Sequence, residues 1–283
     1  MTNRKHVIVF LALALVLLVS ACGSPASSTG SQAPLQVLQK SLTAMQQLKA
    51  VHISMKLTSN GDWGRSSKSS TAQPFSVSAT ASGDEVRPDK SMLHLSIGQG
   101  YNVAETTLGK LLYVQNSKGQ WYVLDTSKYK GSANNPFTSM NSSTYNKLLA
   151  IAQKAMYTDH GVQTLNGESL RHITVTFSKD VLKDLLNSTN LSTLQQQRAN
   201  TLLNNAKLVN PTLDVWVDES TSYVHHMELI FDMNVNTSSF GTSVTSSTIN
   251  VDMTVDYSKF NVPVTISAPG NAIPTNNLFS IFA

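Results

Sequence analysis

"LQVLQKSLTAMQQLKAVHISMKL", residues 35–57, changes its period halfway along. In its first part Leu35, Leu38, Leu42, Met45 and Leu48 recur at steps of three and four, which predicts a helix over 35–48 with one apolar stripe. Pro34 stands at its first turn, where the missing N–H costs nothing. From residue 51 the period becomes two. Val51, Ile53, Met55 and Leu57 share one face, and His52, Ser54 and Lys56 the other, as on a strand with one side in a core.

The same two-residue period dominates the chain beyond residue 57. A polar stretch at 59–74 reads as a loop. "FSVSATA", "MLHLSIG", "NVAETTL", "KLLYVQN" and "QWYVLDT" come next as short β-rich segments separated by turn residues. Residues 116–119, "NSKG", close a hairpin between the last two, and 130–141 read as a loop. "SSTYNKLLAIAQKAM" predicts a helix, with Leu148, Ile151, Ala152 and Ala155 on one face. Asn166-Gly167, a strong hairpin signal, joins "TDHGVQTL" to "ESLRHITVTF". Ser178 caps the helix "KDVLKDLLN", and "LSTLQQQRANTLLNNA" continues as a second helical segment. "TLDVWVD", "YVHHMELIFDM" and "STINVDMTVDYSKF" are the last strands, and Pro263 and Pro269 mark where pairing stops. The pattern predicts a mostly β (α+β) chain: a curved antiparallel half-barrel of about eleven strands with helices across one side.

The N-terminus has a different character. Arg4 and Lys5 precede an apolar run over residues 7–19, too short to span a bilayer but suited to a signal peptide. Val19-Ser20-Ala21-Cys22 resembles the lipobox of bacterial lipoproteins, in which the cysteine sulfur receives a diacylglycerol and the signal is cut before it. Cys22 is the chain's single cysteine, so no internal disulfide competes for it. An ordinary signal peptide with a chance cysteine, or an uncleaved anchor, are the alternatives. Two acyl chains give stable anchoring, and the Ser/Gly/Pro-rich "GSPASSTGSQAP" reads as a tether. The expected organisation is signal peptide 1–21, membrane tether 22–33, one β-rich domain over 34–269 and a C-terminal tail over 270–283, on the extracytoplasmic side of the membrane.

Removal of residues 1–21 leaves 19 basic residues against 17 acidic ones, a mature charge of +2. That balance argues against a nucleic-acid partner. Charged residues are 13% of the chain, about half the usual share, while 41% are hydrophobic, enough for a sizeable core.

The lipobox, the opening over residues 35–57, "GKLLYVQNSKGQWYVLD", "LRHITVTFSKDVLKDLL" and "VDYSKFNVPVTISAP" together resemble the LppX/LprG-type lipoproteins, whose fold is similar to that of LolA. The resemblance spans about residues 35–269 and rests on element order. It implies a half-open barrel whose apolar cavity takes the acyl chains of a lipid or glycolipid, carried outside the cytoplasm and exchanged with a donor or acceptor protein. It implies no catalytic residues, so the chain is expected to be no enzyme and to need no cofactor. The 59–74 loop is longer than the family suggests.

Strand alternation supplies candidate cavity residues: Ile53 and Met55; Leu93, Leu95 and Ile97; Leu111 and Tyr113; Val175 and Phe177; Leu213, Val215 and Val217; Met227, Leu229, Phe231 and Met233; Val251, Met253 and Val255. Methionine suits surfaces that accept flexible chains. The same faces would equally form a packed core, which leaves a tethered scaffold or interaction lipoprotein without lipid as the alternative. A hydrolase of unfamiliar type is a third class. The mature histidines, His52, His94, His160, His172, His225 and His226, show no zinc-type spacing with cysteine, so no metal is expected. His225 and His226 should point to opposite faces. Asp214, Asp218 and Glu219 read as a solvated sheet edge. There is no G-x-S-x-G elbow, phosphate loop or dinucleotide fingerprint. Trp121-Tyr122 should place one ring on each face.

Overall fold

The computed structural model describes residues 33–63, 73–98, 100–128, 153–188, 193–236 and 246–276. Helix α1 (Pro34–Gln46) leads into β1 (Ala50–Trp63), where the period changes. Strands β2 (Gln73–Val86), β3 (Lys90–Ile97), β4 (Tyr101–Leu108), β5 (Leu111–Gln115) and β6 (Trp121–Asp125) follow as a meander. The second half runs β7 (Met156–Leu165), β8 (Glu168–Thr176), α2 (Lys179–Ser188), α3 (Thr193–Asn204), β9 (Ala206–Val217), β10 (Val224–Asn236) and β11 (Ser246–Ser258). A two-residue strand, β12 (Ile273–Pro274), pairs in parallel with β6, so part of the segment expected as a tail joins the sheet.

All twelve strands form one open sheet in the order β12-β6-β5-β4-β3-β2-β1-β11-β10-β9-β8-β7. It is a curved half-barrel, antiparallel except at β12. The two halves of the chain meet where β1 pairs with β11, with Met55 opposite Val255 and Leu57 opposite Met253. The predicted eleven strands are all present. The helix predicted over 142–156 lies mostly outside the described residues, and Met156 begins β7.

Two strand boundaries and one helix face differ from the sequence pattern. Residues 59–63, expected in a loop, extend β1 and pair on both sides, with Ser59 between Val77 and Val251. Their apolar-side positions carry Ser59 and Gly61, small residues that hide the alternation. Strand β9 begins at Ala206 rather than near 212. Asn210 and Pro211 lie in a bulge opposite β10, which tolerates a proline that a regular ladder would not. In α1 the buried line is Val37, Ser41 and Met45, rotated from the predicted leucine stripe.

The core lies on one side of the sheet. Val37 and Met45 of α1, Leu182 of α2 and Leu203 of α3 pack with Ile173, Val215, Leu229, Phe231, Met253 and Val255. Arg171 enters this buried region only because its charge is met: Nη2 lies 2.5 Å from Asp159 Oδ2, and Nη1 2.8 Å from Glu219 Oε1. The opposite side is polar, with cross-strand pairs His52–Asp84 at 2.7 Å and His226–Asp256 at 2.6 Å.

Two glycines mark close approaches of neighbouring strands. A Cβ at Gly83 would stand 1.9 Å from the Met92 carbonyl oxygen, and one at Gly61 1.9 Å from the Thr248 carbonyl oxygen. Only glycine fits where the backbones come so near. Gly83→Ala should therefore lower the unfolding free energy by about 2 kcal/mol, read from the urea midpoint. Arg171→Met, which leaves Asp159 and Glu219 unpaired but in reach of water, should cost about 1 kcal/mol in the same assay.

Candidate functional site

The apolar side of the sheet divides into two regions. On β9, β10 and β11 the candidate residues Val215, Met227, Leu229, Phe231, Met253 and Val255 are buried in the core, together with Val217, Met233 and Val251. There the alternation reads out packing, because α1 and α3 meet the sheet at β7 and β9. Leu213 and Phe177 are half-buried against that core, and Val175 is half-buried beside them.

On the other half of the sheet the burial loosens. Ile53 and Met55 on β1, and Leu93, Leu95 and Ile97 on β3, are half-buried. Between them β2 presents only Ala79, Ala81 and Gly83, in register with Leu57, Met55 and Ile53. Val103 on β4 and Leu112 on β5 continue the strip, also half-buried. This row of small residues flanked by long apolar ones, the β2 trough, adjoins the core, because Leu57 is buried in the core cluster and Ile53, Met55 and Ala79 pack against it.

Two candidates fall elsewhere. Leu111 and Tyr113 lie on the polar side, because Leu112 and Val114 are the β5 residues that follow Glu105 and Thr107 in register. Leu111 is exposed there and Tyr113 is buried. "KLLYV" is a continuous apolar run, so alternation could not choose its inward face. Cys22 and the lipobox lie outside the described residues.

The polar side carries an open pocket of about 420 Å³, lined by Ser54, Ser82, His94, Ser96, Asn102 and Gln115 among others. Its lining is mixed and also includes Ala81, Leu95 and Val103 of the same strands. His225 and His226 turn to separate partners, Glu168 at 2.5 Å and Asp256 at 2.6 Å. Trp121 and Tyr122 pair with Gln115 and Val114, one on each face. Asp218 accepts hydrogen bonds from the backbone and hydroxyl of Ser220 and from Thr221, which gives it a turn-forming role. Asp214, expected at a solvated edge, instead stands with His160 and His172, their ligand atoms within 4.8 Å of one another.

Sequence alternation did not single out Glu105. It sits on the apolar side, opposite Leu93 on β3 and Val114 on β5. The residue retains some exposed surface, but its carboxyl end is enclosed. Burial pushes its pKa up to about 7, against the lowering effect of a Thr107 hydrogen bond. The signal was visible as an acid at an apolar phase of "NVAETTL". Between pH 4.5 and about 7 the folded protein holds this proton and the unfolded chain releases it, so stability falls as pH rises through that window. Glu105→Gln should flatten this fall and melt higher than the parent at about pH 8, with the difference vanishing in acid. Thermal melts across the pH range check it.

Comparison with solved structures finds similarity to lipoprotein LppX of Mycobacterium tuberculosis, at 17% identity and a TM-score of 0.46, covering 82% of this chain and 97% of that one. LprF from Mycobacterium bovis is 16% identical with a TM-score of 0.44, covering 86% and 100%. A putative outer membrane lipoprotein-sorting protein domain from Vibrio parahaemolyticus is 8% identical with a TM-score of 0.25, covering 82% and 93%. No curated protein gives a significant match. Residues 33–277 match the family described as "Family of unknown function (DUF6612)", and the chain belongs to it.

Proposed function

We propose that this is an extracytoplasmic lipoprotein, anchored through acylated Cys22, that binds the acyl chains of a lipid or glycolipid and carries them between membrane partners. The observation that carries the reading is the half-buried apolar strip from Ile53 and Met55 across the β2 trough to Leu93, Leu95 and Val103. An acyl chain laid there would gain roughly 0.8 kcal/mol for each methylene removed from water. It would need few polar contacts beyond those meeting a headgroup. No catalytic step is assigned. The tether over 22–33 gives the domain reach from the membrane surface.

The packed residues on β9–β11 favour a second reading, a tethered scaffold with a solid core. Organic extraction of the purified chain followed by mass spectrometry separates the two. The carrier reading expects stoichiometric acyl lipid, lost in Ala81→Phe, which fills the trough while the core stays intact. Empty extracts from parent protein exposed to membranes would support the scaffold. The anchor has its own check: Cys22→Ala should abolish incorporation of labelled fatty acid and release the protein from membranes.

A further inference from the structure

We propose that His160, His172 and Asp214 bind one first-row divalent transition-metal ion, with zinc as the probe, and that this ion ties β7, β8 and β9 together at the edge of the sheet. The three residues lie on the polar side of three successive strands, and each offers one ligand atom to a common point. Acyl-chain binding on the other side makes no use of them.

The hydrogen bonds around His172 carry the argument. Its Nε2 lies 2.8 Å from Asp214 Oδ1, and its Nδ1 lies 3.1 Å from Gln163 Oε1. Nε2 thus faces the Asp214 carboxylate oxygen, the two ligand types that a cation seated between them would join, and Nδ1 faces an oxygen on the other side. A ligating histidine that donates its other N–H to an oxygen is the usual outer-shell arrangement.

The surroundings prepare the same point. His160 Nε2 lies 2.8 Å from Thr174 Oγ1, and the Thr174 hydroxyl donates to Asp214 Oδ1. Trp216 stacks on His172 with ring centres 4.2 Å apart and planes 5° apart, which fixes the imidazole. Glu228 stands across from Asp214 on β10, a second carboxyl group beside the site. Two imidazoles with one carboxylate suit zinc, iron, nickel or copper better than magnesium or calcium. Three protein ligands leave a position for water.

A tetrahedral ion holds its ligand atoms about 3.4 Å apart, so the 4.8 Å spread must close. His160, which is exposed and stacks on His172 at 4.3 Å, must approach, while His172 Nε2 and Asp214 Oδ1, now 2.8 Å apart, must separate to admit the ion. The His160 backbone is held. His160 is the extra residue of a bulge between Asp159 and Gly161, with Gly161 at φ 72° and its N–H bonded to Asp159 Oδ1 at 3.0 Å. Arg171 grips Asp159 through two nitrogens from the other side of the sheet. The bulge directs the ring, and side-chain rotation completes the site.

The test is calorimetric titration of the chelator-stripped full-length chain, in detergent, with zinc chloride, alongside tryptophan fluorescence and thermal melts. The proposal expects one zinc per chain, a change in Trp216 emission on binding and a higher Tm at saturation. His160→Ala and Asp214→Asn should each weaken binding at least tenfold and abolish the Tm rise, while His52→Ala, at the separate His52–Asp84 pair on β1 and β2, should leave both intact. No saturable uptake would overturn the proposal. Uptake unaffected by His160→Ala and Asp214→Asn would overturn it equally.

Discussion

A slip of one residue between β1 and β11 would turn Ile53, Met55 and Leu57 away from the side that carries Val255 and Met253. Everything else in the sheet depends on that pairing. It joins an N-terminal meander, β1 to β6, to a C-terminal one, β7 to β11, which have no other shared ladder among the described strands. The register is held from both sides, because β2 pairs along the whole of β1. It also decides which face receives the helices. With Val255, Met253 and Val251 turned to the core side, α1 and α3 have an apolar floor, and His52, His226 and Asp256 are left on the polar side.

One apolar face thus serves two purposes. Where large residues meet across β9, β10 and β11, the space is filled by side chains, and Leu229, Phe231 and Met233 are almost fully buried. Where β2 contributes only Ala79, Ala81 and Gly83, the flanking Ile53, Met55, Leu93 and Leu95 stay half-buried, while Leu57 is buried. Side-chain size along a single strand separates core from trough. Glu105 stands at the edge of this second region, where burial of its carboxyl group pushes its pKa up.

Much of this was legible in the sequence. The switch of period at residue 51, the Asn166-Gly167 hairpin and all eleven long strands follow from spacing and turn residues. What failed did so for local physical reasons. Ser59 and Gly61 are too small to signal a buried phase, Pro211 sits in a bulge instead of ending pairing, and "KLLYV" offers no alternation with which to place Leu111 and Tyr113. The His160, His172 and Asp214 cluster needs a bulge and three strands in register, neither of which spacing along the chain reveals.

The central claim is that the trough along β2, and not the helix-covered core, receives the acyl chain. Methyl NMR of the methionines tests it directly, since Met55 borders the trough while Met227, Met233 and Met253 lie in the core. Addition of an acyl lipid should shift the Met55 methyl resonance and leave the core three in place. Shifts confined to Met227, Met233 and Met253, or no shift at all under saturating lipid, would contradict the account.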